Sequence, residues 1–266
     1  MAVLCSAYPD VTFAAAYERE LGDWRISVEV EGRRSLLYYA DGRFLKKENL
    51  ATQENYRRLI YPFPQELADP QKMSSEQIDR FTRFGATENR RRAPVSAGDF
   101  FDAIYDTASR AAAEKHIAAV DFLGLGLRVH RRIVPALKRV EQEIRRRAAE
   151  DGAAAQYVSQ LESGEAFQWR QIRDTAGRSF HSMGLAIDLL PEEWRSKTIY
   201  WLWEKNSGNE RWMMIPLEQR WMPPESVITA FEEEGFIWGG KWPVWDNMHF
   251  EYRPELLIAR DTSLLQ

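Results

Sequence analysis

Residues 185–190 form an apolar run with one carboxylate, Asp188, set inside it. Such a run reads as a buried strand. An ionised carboxylate is expensive there unless a cation or hydrogen bonds compensate it. Any fold this chain adopts must therefore deliver compensating groups to Asp188. His181 precedes the run. Gly184, between the two, permits a backbone turn that few other residues allow, and that turn can bring His181 and Asp188 to one point.

A second segment, Asp246-Asn247-Met248-His249-Phe250-Glu251, completes the pattern. Met248, Phe250 and Tyr252 alternate with His249 and Glu251, as on a half-buried strand, so His249 and Glu251 share the face away from the apolar one. Asp246 falls at the strand entrance. Two imidazoles, one carboxylate ligand and a spare carboxylate match what a catalytic zinc needs: three protein ligands and one open position. Zinc would lower the pKa of water there toward ~7, and a nearby carboxylate would take the water's proton. Singly, each residue has a blander explanation. A His on a strand is more often a hydrogen-bonded structural residue, and an Asp after a Gly is as often a turn or cap residue. The joint pattern favours a metal.

These residues resemble the zinc D,D-carboxypeptidase and L,D-endopeptidase family that trims bacterial peptidoglycan stems, the M15 metallopeptidases. The match is Ser179-x-His181-x-x-Gly184-x-Ala186-x-Asp188, followed by Asp246-x-x-His249-Phe250-Glu251. The flanking stretches Trp169-Arg170-Gln171-Ile172 and Gly235-Phe236-Ile237-Trp238-Gly239-Gly240-Lys241-Trp242 are also family-like, and the resemblance spans roughly residues 120–260. It implies one zinc ion held by His181, Asp188 and His249, with Asp246 as general base. It also implies a substrate-binding Arg before the first His, for which Arg170 is the best-placed match; Arg173 and Arg178 compete or are surface charges. Arg suits such a role through its two-pronged geometry. Many carboxypeptidase members carry Glu where this chain has Asp246, whereas Asp is common among endopeptidase members, so exo- and endo-cleavage both stay open. Release of a terminal D-Ala is the leading expectation, and peptidoglycan stem peptides are the expected partners. Ser179 and Glu251 are expected to orient a ligand or line the cleft, Glu251 being the rival for the base.

Composition narrows the alternatives. Hydrophobic content of 44% and charged content of 29% are ordinary for a globular protein. The net charge of -4 makes no case for nucleic acid. No apolar segment approaches the ~20 residues needed to span a membrane. The single cysteine, Cys5, excludes an intramolecular disulfide and a cysteine zinc cluster. The first five residues lack the basic region and long apolar core of a signal peptide. That leaves a cytosolic protein or a mature fragment with a new initiator Met. The family's substrate lies in the cell envelope, so a periplasmic or secreted fragment is expected; lipidation of Cys5 is weakly supported, because Leu4 stands where a small residue is usual.

The expected fold is α+β: an antiparallel sheet with flanking helices over residues 120–266, preceded by an N-terminal α+β extension over 1–119. In the extension, Ile26, Val28 and Val30 alternate before Gly32, and residues 36–39 run into Asp41-Gly42, a hairpin followed by a turn. Pro62, Pro64 and Pro70 punctuate a loop. Ser74-x-x-Gln77 is a capping box opening a helix that ends at Gly85. Arg90-Arg91-Arg92 could meet an anionic wall polymer as a patch but reads foremost as a solvated loop, and residues 99–116 read as one helix. Further on, Leu127 and Val129 suggest a strand. Val134, Leu137, Val140 and Ile144 mark the buried face of a basic helix whose Arg145-Arg146-Arg147 complements its dipole. Residues 225–234 read as another helix, with strands at 236–238 and 248–252 around a Gly239-Gly240 turn. His116 and His130 have no ligand-like partners and are not assigned to zinc. Eight of the ten tryptophans follow Asp188; most are expected in the core, with Trp242 and Trp245 in the cleft because they flank Asp246.

Three other functions were weighed. A non-catalytic wall-binding module that keeps the metal would most plausibly have lost the base, and Asp246 is present. A cytosolic D-alanyl-D-alanine dipeptidase requires that the chain truly lack a signal peptide. A serine hydrolase is disfavoured because no nucleophile elbow surrounds Ser179 or Ser182.

Overall fold

The computed structural model describes residues 1–262. Its centre is a four-stranded antiparallel sheet in the order β10-β11-β9-β8, formed by β8 (Leu161–Glu165), β9 (Ala186–Pro191), β10 (Phe236–Trp238) and β11 (His249–Tyr252). All residues of β9 are buried, Asp188 included, as its apolar run predicts. In the pairing of β11 with β9, His249 stands directly opposite Asp188. The α+β class is as expected.

Around this sheet pack α6 (Val134–Ala148), which buries Leu137, Val140 and Ile144, and α9 (Glu225–Glu233), which buries Val227 and Phe231. The Phe231 ring stacks on Phe250 of β11 with centroids 3.8 Å apart. Arg145, Arg146 and Arg147 also pair with Glu141 and Glu143, and Arg147 reaches Glu233 on α9. The expected strand at Leu127 and Val129 is β7 (Leu125–His130), hairpinned with β6 (Ile117–Phe122).

The N-terminal part begins with α1 (Ala2–Ala7) and a three-stranded antiparallel sheet of β1 (Thr12–Glu18), β2 (Asp23–Val30) and β3 (Arg33–Tyr38). The expected hairpin is β2–β3; β1 adds an edge. One hydrophobic cluster joins Leu4, Val28, Phe100 and Phe101 of this part to Val140, Leu189 and Phe250 of the rest. The Ser74 capping box is present at the start of α2 (Ser75–Gly85). A short parallel pair, β4 (Tyr56–Arg57) with β5 (Val95–Ser96), closes this region.

Two sequence readings need correction here. Residues 90–92 are not a solvated loop but the end of helix α3 (Thr87–Arg92), in which Arg90 is buried. The single helix expected over 99–116 is two, α4 (Gly98–Tyr105) and α5 (Arg110–Glu114), separated where Asp106 turns left-handed. That conformation lets the Asp106 carboxylate meet His116 Nε2 at 2.9 Å. Among the described residues no helix is long and apolar enough to cross a membrane.

Candidate metal centre and its cleft

His181 lies in a 3-10 turn, residues Phe180–Met183, capped by the Ser179 hydroxyl, which accepts from the His181 backbone N–H. Gly184 ends that turn with φ of +68°; a Cβ there would stand 2.6 Å from the backbone nitrogen of His130. The glycine therefore allows both the left-handed turn and the close approach of β7, and it aims His181 back at β9. His181 Nε2, His249 Nδ1 and the Asp188 carboxylate converge, with all ligand atoms within 4.8 Å of one another and all three residues buried.

The donor set fits a tetrahedral divalent cation. The two imidazole nitrogens stand 3.3 Å apart, matching the ~3.3 Å edge of a tetrahedron with zinc–nitrogen bonds of about 2.0–2.1 Å. Asp188 places its two oxygens 2.7 Å from His249 Nδ1 and 3.2 Å from His181 Nε2. The outer nitrogen of each imidazole meets an acceptor: His181 Nδ1 faces the Ala166 carbonyl at 2.6 Å, and His249 Nε2 faces Glu251 Oε1 at 3.2 Å. Such partners fix the tautomer and turn the inner lone pairs toward the cluster. Burial works to raise the Asp188 carboxyl, but the flanking imidazoles outweigh it and carry it far below the carboxylate range. Burial likewise opposes charge on His249, and the Asp188 carboxylate overrides it, lifting His249 well above its usual value.

Asp246 lines the same cleft as the cluster. Its Oδ1 is buried without a hydrogen-bond partner, leaving an acceptor free for a proton. Burial pushes its carboxyl up to about 8, against the pull of His249. A bound divalent cation adds positive charge nearby and lowers that value toward the ionised form a base needs.

Glu251 begins a buried charged chain. Its second oxygen lies 3.8 Å from Arg253, whose Nε donates to Glu255 at 2.5 Å and whose Nη2 donates to the Leu59 carbonyl at 3.0 Å. Burial disfavours the Arg253 charge, but Glu255 and Glu251 more than compensate and raise its pKa. Tyr8 on the N-terminal side donates to Glu255. The His181-Asp188-His249 cluster is thus linked to the first residues of the chain through alternating charges.

Arg170 reaches the cluster because residues 168–181 fold back on themselves. Gln168 donates to the His181 carbonyl, Ser179 to the Arg170 carbonyl, and Gln171 bridges Arg178. Ser182, which sequence reasoning left without a role, accepts from the Arg170 backbone N–H at 3.0 Å and donates to its carbonyl at 2.6 Å. The half-exposed Arg170 guanidinium lies 3.9 Å from Asp188. Arg178 is engaged elsewhere, by Asp102 and the Thr107 carbonyl, and is not a surface charge; Arg173 is exposed in the cleft.

The cleft has a volume of about 1220 Å³. Trp242 lines it, with its ring 5.5 Å from that of His249. Trp245 does not. It is buried against Phe81, Trp201 and Trp212, with the Arg220 guanidinium 4.4 Å above its ring. Apolar neighbours on one side and a fixed cation on the other draw the indole inward, although it adjoins Asp246 in sequence. Trp194 and Trp203 line the cleft instead. The cleft is also lined by residues from 54–64 and 80–96 of the N-terminal part, including Tyr61, Phe63, Phe84 and Arg90. His116 and His130 stay out of the cluster.

Residues 173–252 match a family model described as D-alanyl-D-alanine carboxypeptidase. The match is narrower than the resemblance read from the motifs, yet it contains His181, Asp188, Asp246, His249 and Glu251; Arg170 lies just before it. Residues 1–61 match a model described as a domain of unknown function. No curated protein and no solved structure matches the chain. The family likeness supports a peptidase, and the buried His-Asp-His cluster is compatible with a metal ion.

Proposed function

We propose that this protein is a zinc-dependent peptidase acting on peptidoglycan stem peptides and releasing a terminal D-Ala. The observation that carries this reading is the convergence of His181, Asp188 and His249 beside an unpartnered buried carboxylate, Asp246. Zinc held there supplies Lewis acidity toward the scissile carbonyl and toward the attacking water. Asp246 accepts the water's proton and returns it to the leaving amine. Arg170, clamped by Ser182, pairs with the substrate's terminal carboxylate. Glu251 and the Ala166 carbonyl hold the two imidazoles in their ligating tautomers, and Trp242 covers the side of the cleft next to His249. By this reading the protein works in the cell envelope or outside the cell, and residues 1–119 are an extension that adds a wall to the cleft of a catalytic domain over 120–266.

The size of the cleft favours one second reading. At about 1220 Å³ it exceeds the range of ~300–1,000 Å³ usual for small-ligand pockets. It therefore has room for a chain continuing past the cleaved bond, as an L-alanyl-D-glutamate endopeptidase needs. Mass spectrometry of defined muropeptides incubated with the zinc-loaded protein separates the two. Loss of one D-Ala from a pentapeptide stem supports the carboxypeptidase, with weak activity once the terminal carboxylate is amidated. A cut between L-Ala and D-Glu, or equal cleavage of free and amidated stems, supports the endopeptidase, and no cleavage leaves a wall-binding module.

A further inference from the structure

Among the described residues, Arg90 is a buried cation with no anion paired to it. It is 5% exposed. Its Nη2 donates to the Arg173 carbonyl at 2.8 Å, and its guanidinium lies 4.9 Å from the centroid of the Trp201 ring. Its Nη1 is closed off from bulk water and meets no hydrogen-bond acceptor. A buried guanidinium without a counter-charge costs several kcal/mol, which an aromatic face and one carbonyl offset only in part. The side chain lines the same cleft as the His181-Asp188-His249 cluster, in the part of its lining that residues of the N-terminal part supply, Arg80 and Phe84 among them. It lies outside both family-matched segments.

We propose that Arg90 is a specificity-determining anion subsite that takes a second carboxylate of the peptide, one carried by an acidic side chain away from the scissile bond. This rests on the peptidase reading above and narrows its substrate to a peptide with two carboxylates. The terminal one pairs with Arg170 beside Asp188, and the other pairs with Arg90. A guanidinium held rigid on Trp201 is prearranged for a carboxylate, so little ordering remains to be done on binding.

The test is calorimetric binding to zinc-loaded full-length Asp246→Asn protein, which should hold peptides without cutting them. The probes are N-acetylated pentapeptides ending in D-Ala-D-Ala, with Glu or Gln at each upstream position in turn. At one position Glu should bind at least about tenfold more tightly than Gln, as befits a hydrogen bond to a charged group. Adding Arg90→Gln should erase that preference by weakening the Glu peptide at least about tenfold more than the Gln peptide, whereas adding Arg170→Gln should weaken both peptides alike. Equal binding of the Glu and Gln peptides at every position overturns the proposal, as does a preference that survives Arg90→Gln. Should Arg90→Gln not fold, Arg90→Lys replaces it; the preference should then shrink, and its full retention overturns the proposal. Failure of the wild-type protein to cut any of these peptides removes the peptidase reading as well, while cleavage by the wild type with no Glu preference in binding removes this inference alone.

Discussion

The Tyr8 hydroxyl donates to the Glu255 carboxylate at 2.6 Å, joining residues 247 positions apart. Burial, and then Glu255, hold the phenol far above its usual pKa, so it stays a donor. Tyr8→Phe should lose about 1.5–3 kcal/mol, the worth of a hydrogen bond to a charged group. Glu255→Ala should lose more, about 3–5 kcal/mol, because it strips Arg253 of its nearest counter-charge. Urea denaturation at neutral pH checks the order; equal losses would mean that Arg253 does not depend on Glu255.

His181→Ala and His249→Ala should each abolish zinc binding and hydrolysis. Glu251→Gln should keep the metal but weaken it by about 10–100-fold, as removal of a partner that orients a ligand does. Competition with a chromophoric chelator measures all three. Unchanged zinc affinity in His181→Ala would exclude it as a ligand.

Asp246→Asn should retain zinc with turnover reduced at least ~100-fold, the lower range for a positioned acid–base group. Single-turnover kinetics on zinc-saturated protein isolates that effect from metal loss. If Glu251→Gln eliminates turnover with zinc still bound and Asp246→Asn does not, the two carboxylates exchange roles.

Acid should destabilise the protein through His130. Burial holds its pKa down at about 4, against an ordinary 6.5. Its Nε2 faces the Tyr105 carbonyl, while its Nδ1 accepts from the Arg132 backbone N–H, so both ring nitrogens suit the neutral form. On acidification the unfolded chain takes up the proton first. The contribution is intact above about pH 6.5, falls as pH drops toward 4 and levels off below. The total is on the order of 3 kcal/mol. Denaturation at pH 7 and pH 4 should show the wild type losing that much more than His130→Gln; parallel losses would refute it.

The half of the cleft that holds the His181-Asp188-His249 cluster was legible because its signals are local. Asp188 is conspicuous inside an apolar strand, and strand alternation puts His249 and Glu251 on one face. The lining from the N-terminal part was not legible. Arg90 sits in a charge run that normally faces water, and only Trp201, Arg173 and the fold between them draw it inside. Strand β1 escaped notice because Thr-Phe-Ala-Ala-Ala-Tyr-Glu has no alternation, and no residue in it is fully buried. Trp245 misled because nearness to Asp246 in sequence says nothing about which way an indole turns, and Arg220 and the Phe81 cluster decide that.

The pairing of β11 with β9 sets His249 directly across from Asp188. If zinc binds there, it enters a socket completed during folding rather than a knot tied by the ion. In a zinc finger, metal capture and folding are one event; here they are separable. A chelator should silence the protein and leave its circular dichroism untouched, and returning zinc should restore activity at the speed of diffusion rather than of refolding. By that outcome, occupancy would be a quantity set from outside, by free zinc, over a protein population that stays folded.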